Sequence, residues 1–305
     1  MASFATKVIR LSLKAVSAIS PAAAGELAFR IFCLTPSRKP KSDKERALLN
    51  AAAPLMEESR KVTLSFAGGW VLTRHFQRRG GGGGPRVLLT HGWGSRSDYL
   101  AAMIDGLLTA GAEVVALDWP GHGASPGRSL TMPQAVRAID AAWRHFDAFD
   151  VCIGHSFGGA SLACAAGGVL CDVPARVPAK LVLIGAPSEM AWLFRGFGKI
   201  MRLAPAAQAA FEGMVERLSG RRVDGFDAAR ILSALRKPVL VLHAEDDKEV
   251  SADHARRYGA IGPNVELHWA NGLGHRRIVS APLVIQKIVA FLGETEGRAH
   301  LRKIA

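Results

Sequence analysis

Long apolar runs are missing from this sequence. No stretch reaches the roughly 18 unbroken apolar residues that a membrane-spanning helix requires, although hydrophobic residues make up 49% of the 305 positions. A helical span is therefore not expected, and enough apolar material remains for a large interior. Cysteines are few. Cys33, Cys152, Cys164 and Cys171 show no metal-like spacing, which argues for buried free thiols in a reducing, cytoplasmic setting. Acidic residues are short as well, 26 against 39 Lys and Arg, leaving a net charge of +13. That balance suits nucleic acid or an anionic membrane surface. The basic residues are spread over the whole chain, many of them Arg, and no nucleic-acid motif accompanies them. A solvated basic surface is expected, and no nucleic-acid partner.

Other signals are faint or absent. Lys7, Arg10 and Lys14 precede Ala22-Ala23-Ala24, a weak likeness to a secretory leader. Lys14 leaves only a short apolar run before Pro21, so export is not expected. The glycine run 80–84 lacks the lysine or patterned helix start of a nucleotide loop. It reads as a flexible connection, and no cofactor or metal is expected.

What is present is an alternation of strands and helices. Residues 61–66 and 70–76 alternate around Gly68-Gly69 like a hairpin. From Arg86 onward strands are predicted at 87–90, 113–117, 150–153, 181–184, 239–242 and 265–269, with helices at 98–110, 131–146 and 282–292. Strands with unbroken hydrophobicity, separated by helices, predict an α/β fold with a mostly parallel sheet covered on both faces. Ligands of such sheets bind at the carboxyl ends of the strands.

Two regions depart from the rhythm. Residues 1–46 read as an amphipathic helical extension broken near Pro21, then a basic linker from Ser37 to Arg46. Ala28, Phe29, Ile31, Phe32 and Leu34 are too apolar to stand in water. They are expected to pack on the core, the alternative being contact with a membrane or an acyl substrate; weak peripheral membrane contact through this basic end is compatible with both. Residues 187–236 separate two strands that a short crossover could join, and their helical apolar faces predict an inserted cap. The core is thus split into 47–186 and 237–305.

The segment Val151-Cys152-Ile153-Gly154-His155-Ser156-Phe157-Gly158-Gly159 carries the chemistry. An apolar strand runs into G-x-S-x-G and a small-residue helix follows, the context that holds a nucleophilic serine at a sharp turn. The pattern alone is weak, and Gly123-Ala124-Ser125-Pro126-Gly127 also matches it. The residue after a nucleophile must offer an N–H to the oxyanion, and Pro126 has none. Ser125 is therefore read as loop and Ser156 as nucleophile.

A serine hydroxyl needs a base, and the base a carboxylate. His275, in Asn271-Gly272-Leu273-Gly274-His275 after the last strand, is the expected base. Asp247 is the expected acid, in His243-Ala244-Glu245-Asp246-Asp247 after the strand 239–242, with Asp246 and Glu245 as neighbouring rivals. Asp118 also ends a strand and is read as orienting the Gly121-His122-Gly123 turn. The N–H groups of Phe157 and Trp93 are expected to form the oxyanion hole. His91, His155, Trp192 and Phe194 are the residues expected to meet substrate, although His91 and His122 sit in glycine turns where either could be structural.

Together, His91-Gly92-Trp93-Gly94, Asp118-Trp119-Pro120-Gly121-His122-Gly123, Gly154-His155-Ser156-Phe157-Gly158-Gly159, Ala244-Glu245-Asp246-Asp247 and Gly274-His275 resemble the α/β-hydrolase superfamily over about residues 86–292. Ala244 stands where the family typically has glycine before its acid. The resemblance implies the α/β-hydrolase fold and hydrolysis of an ester, thioester or, less often, an amide through Ser156, His275 and Asp247, and the apolar cap points to a small, apolar acyl substrate. A proline-type peptidase or amidase and a non-catalytic ligand-binding member are the alternatives. Oligomeric state does not follow from these residues.

Overall fold

The computed structural model describes residues 4–80 and 83–301; the middle of the predicted glycine loop and both chain ends lie outside them. Three helices lead: α1 (Phe4–Ile19), α2 (Pro21–Phe32) and α3 (Asp43–Glu57). Pro21 occupies the first turn of α2, and Ser20 caps it by accepting the Ala23 N–H, the helix start that proline favours. Ser42 caps α3 in the same way through the Glu45 N–H. The linker expected to run to Arg46 therefore ends at Ser42.

Strands β1 (Arg60–Phe66) and β2 (Gly69–Phe76) form the predicted hairpin, and β3 is Arg86–Thr90. After them come α4 (Ala101–Thr109), β4 (Glu113–Asp118), α5 (Met132–His145), β5 (Val151–His155), α6 (Phe157–Ala166) and β6 (Lys180–Ile184). The insertion holds α7 (Met190–Met201), α8 (Pro205–Ser219) and α9 (Ala228–Leu235). The chain closes with β7 (Val239–His243), α10 (Ala252–Gly259), β8 (Val265–Trp269), α11 (Gly274–Arg277) and α12 (Pro282–Leu301).

The eight strands form one sheet in the order β1-β2-β4-β3-β5-β6-β7-β8. The hairpin is antiparallel to its neighbours, and β3 through β8 are parallel. Strands β4, β5, β6 and β7 are buried at every residue. Their side chains alternate between two interiors, as the period of two demands. Cys152, Leu181, Leu183, Val239 and Val241 face one; Ile153, Val182, Ile184, Leu240 and Leu242 face the other. Helices cover both faces, which is why these strands read as unbroken apolar runs.

The leading helices and the insertion share one aromatic core. Gly25 lets α2 lie against α8 so closely that a Cβ there would meet Ala210 Cβ at 2.5 Å. Phe29, Phe32, Phe194, Phe197 and Phe211 pack with ring centroids 4.6–6.3 Å apart. Phe29, Phe194 and Phe211 are buried, each such ring contributing roughly 1.5–3 kcal/mol, and they help hold α2 against α7 and α8. The path from α2 is tied down by Leu130 N–H to Cys33 O at 2.9 Å and Thr35 N–H to Arg128 O at 3.0 Å. At the far end of the insertion α9 returns to the core, where Gly167 of the α6 end lies under Ile231. The part that overhangs the strand ends is α7 with α8.

Candidate active site

Ser156 sits between β5 and α6 with φ 52° and ψ −120°. A non-glycine residue pays backbone strain for that conformation and holds it only if its surroundings insist. The Ser156 N–H donates to Ile184 O at 2.8 Å. Around it the chain is too close for side chains. A Cβ at Gly154 would meet Gly159 N at 2.5 Å, and one at Gly158 would meet His91 O at 2.7 Å. These two glycines allow strand, turn and helix to fold back on one another.

The N–H of Phe157 is the first of α6, and helix starts leave such donors without intrahelical partners. Among the described residues neither the Phe157 N–H nor the Trp93 N–H donates to a protein acceptor. The loop bearing Trp93 is fixed from both sides. The Gly94 N–H donates to His122 Nε2 at 2.9 Å, and His122 Nδ1 donates to Pro120 O at 3.0 Å. Burial pulls His122 down to about 4, so the neutral ring has one donor and one acceptor and uses both.

Of the three adjacent acids, Asp247 is the one that meets His275. Its Oδ2 lies 2.7 Å from His275 Nδ1, and its side chain is 1% exposed. Its Oδ1 accepts the Glu249 and Val250 N–H groups at 2.8 and 2.9 Å. Burial opposes ionisation of this carboxyl, yet the hydrogen bonds from His275 and the two N–H groups outweigh it and hold the group below its ordinary value. Asp246 points elsewhere and accepts the Gly272 N–H at 2.8 Å; Glu245 pairs with Arg256 at 3.0 Å. Ala244 in the family's glycine place leaves the turn intact, since the Asp247 N–H still reaches Ala244 O at 3.0 Å. Gly185 opens the space beside the pair, its missing Cβ lying 3.2 Å from His275 Nδ1. Among the described residues the Ser156 hydroxyl has no hydrogen-bond partner; such links commonly tighten only when substrate arrives.

Asp118 and Ser125 hold the loops together. Asp118 accepts the Ser97 and Ala124 N–H groups, each at 2.8 Å. Ser125 is fully buried, donates to Asp118 O at 2.6 Å and accepts the Leu72 N–H at 2.8 Å. It has no access to a substrate.

A cavity of about 350 Å³ opens at Ser156. Its walls come from four parts of the chain: Phe29, Phe32 and Cys33 from the end of α2, Leu130 to Pro133 around the start of α5, Met190, Leu193 and Phe194 from α7, and Val215 and Leu218 from α8. Trp93 and Phe157 lie at its base, ring centroids 5.6 Å apart. Burial pushes the Cys33 thiol up to about 12, so this wall is neutral. No lining residue carries a charge.

Phe194 thus lies where a substrate contact was expected, and three other residues do not. His91 is fully buried below the cavity; its Nδ1 donates to Gly92 O at 2.7 Å and its Nε2 accepts the Trp119 N–H at 3.3 Å. His155 follows the alternation of β5 to the sheet's other side, where its Nε2 donates to His275 O at 2.8 Å. Burial, with the like ring of His275 beside it, pulls His155 down to about 3. Trp192 turns away on α7 and packs edge-on against His254 at 4.7 Å. His91 and His155 were placed by nearness in sequence to the site and Trp192 by its place in the apolar insertion, and neither says anything of side-chain direction. Contact with an acyl substrate was the alternative reading of the apolar residues 28–34, and of these Phe29, Phe32 and Cys33 line the cavity.

A mostly parallel sheet, a serine at a strained turn after its fifth strand and an acid–histidine pair after the seventh and eighth fit the resemblance to α/β hydrolases. The sequence profile of the alpha/beta hydrolase family matches residues 87–285, and the chain belongs to that family. Solved structures agree in fold. An esterase from Rhodococcus is 20% identical over 77% of this chain and 98% of its own, with a TM-score of 0.55. The corresponding figures are 17%, 86%, 100% and 0.61 for a putative lipase from Acinetobacter baumannii. For a proline iminopeptidase from Mycobacterium smegmatis they are 16%, 79%, 100% and 0.59. Among the described residues no helix is long and apolar enough to cross a membrane.

Proposed function

We propose that this chain is a serine hydrolase that cleaves a carboxylic ester or thioester with an apolar, medium-length acyl group. The observation that carries the reading is the cavity at Ser156, whose volume of about 350 Å³ falls within the range of small-molecule sites and whose lining has no charged side chain.

In this reading His275 Nε2 takes the proton of Ser156 as Oγ attacks the carbonyl carbon. Asp247 holds the proton on Nδ1 and stabilises the imidazolium. The Trp93 and Phe157 N–H groups receive the oxyanion, aided by the positive end of α6. His275 returns the proton to the departing alcohol or thiol. Water then repeats the attack on the acyl-enzyme with the same base. Side-chain and backbone groups supply every step.

A peptidase acting on free amino termini needs a carboxylate facing the substrate amine. No acid of the insertion lines the cavity. Glu189 pairs with Arg195 at 2.6 Å and Glu212 accepts from Gln208 at 2.6 Å. The ester reading is therefore the one favoured. The test is labelling by a fluorophosphonate probe, with a p-nitrophenyl ester series beside aminoacyl-naphthylamides. Labelling and ester cleavage lost in Ser156→Ala but kept in Ser125→Ala are expected. Faster turnover of the naphthylamides, or full ester activity in Ser156→Ala, would overturn it.

A further inference from the structure

Helix α1 has two opposite apolar faces. Leu13 and Ile9 pack inward. On the other side Phe4, Val8, Leu11 and Ile19 are 84, 44, 68 and 90% exposed. At one residue per about 100° these four fall within about 80° of one another, forming one stripe along the helix. Large apolar side chains exposed singly need no explanation, but a continuous stripe does.

Charge says what kind of surface would cover it. The α1 sequence contains no acidic residue. Lys7 and Lys14 stand exposed along one flank of the stripe. Arg10 donates from Nε to Ile200 O at 2.7 Å, tying α1 to the end of α7, where Ile200 is itself exposed. A trough of about 690 Å³ between α1 and the start of α8 is lined by Lys7, Arg10, Lys14 and Arg202 and by no acid. A second copy of this face would set like charges against each other, which opposes self-association. An apolar stripe with a cationic flank fits an anionic lipid surface, where the apolar residues enter the acyl boundary and the cations meet phosphates.

We propose that α1 docks this protein on an anionic lipid bilayer, with the Phe4, Val8, Leu11 and Ile19 stripe entering the interface and Lys7, Lys14 and Arg202 facing the headgroup phosphates. The proposal stands apart from the catalytic reading. It has one consequence for the cavity: α2, which follows α1 through Ser20, supplies Phe29 and Phe32 to the cavity wall, so anchor and wall belong to one helical pair.

The full chain would be spun down with vesicles of phosphatidylcholine, alone or with roughly a third phosphatidylglycerol. Wild type should pellet with the anionic vesicles, and less as salt rises from about 0.05 to 0.5 M. Leu11→Asp/Ile19→Asp and Lys7→Glu/Lys14→Glu should each weaken binding by about tenfold or more. All four positions are exposed, and unchanged thermal midpoints would show that the variants fold. Wild type left in the supernatant would overturn the proposal, as would variants that pellet equally well. So would a wild-type dimer that the stripe variant converts to monomer with vesicle binding unchanged, since the occupant would then be a second copy.

Discussion

Replacing Asp247 by asparagine tests the site with the least change of shape. The Glu249 and Val250 N–H groups, 2.8 and 2.9 Å from Oδ1, require an oxygen at that position. The asparagine NH₂ must therefore take the place of Oδ2, 2.7 Å from His275 Nδ1. Two donors cannot share that contact. His275 would shift its proton to Nε2, the nitrogen that must accept from Ser156. The wrong tautomer and the lost carboxylate together should lower kcat by about four powers of ten, or about 5 kcal/mol. The assay is hydrolysis of p-nitrophenyl butyrate with thermal midpoints measured alongside. Asp246→Asn is the control; its carboxylate is exposed and among the described residues accepts only the Gly272 N–H, so activity should stay within about threefold. An Asp247→Asn enzyme keeping more than about a tenth of wild-type activity would refute the assignment, and so would an equal loss in Asp246→Asn.

Further outcomes follow from the same geometry. Ser125→Ala leaves the partly buried Leu72 N–H without its acceptor and should cost about 1–3 kcal/mol in urea unfolding, with probe labelling unchanged. Phe32→Ala removes a ring that packs on Phe194 at 4.7 Å; it should cost about 2 kcal/mol, the ring being half-buried, and raise kcat/KM for decanoyl relative to butyryl esters. Burial pulls His122 down from 6.5 to about 4. Between those values the unfolded chain binds more protons, so the stability due to neutral His122 is complete above pH 6.5 and falls as pH drops toward 4. Its loss is on the order of 3 kcal/mol, and equal urea midpoints at about pH 7 and pH 5 would contradict it.

Some features were readable because they depend on local chemistry. The middles of β4 to β7 are unbroken apolar runs because they are buried on both faces of the sheet; the polar residues Glu113, Asp118, His155, Lys180 and His243 stand at strand ends, where they find partners. Gly154 and Gly158 mark the elbow because no Cβ fits where the backbone crosses itself. Helix α3 was hidden for the opposite reason. Asp43, Lys44 and Arg46 are exposed, and only Ala52 and Met56 are buried along its length, so its pattern is close to that of a charged linker.

The sequence by itself determined the succession of strands, the sheet type and which of two glycine-framed serines follows a strand and opens a helix. These rest on apolar spacing, on residues without a Cβ and on a missing N–H at Pro126. Tertiary structure alone decided which of three adjacent acids reaches His275, that His91 and His155 brace loops instead of meeting substrate, and that α2 walls the cavity beside α7 and α8. Those outcomes depend on where side chains point and on contacts between segments more than a hundred residues apart, such as Phe29 with Phe194. Neither quantity is written in the spacing of residues along a chain.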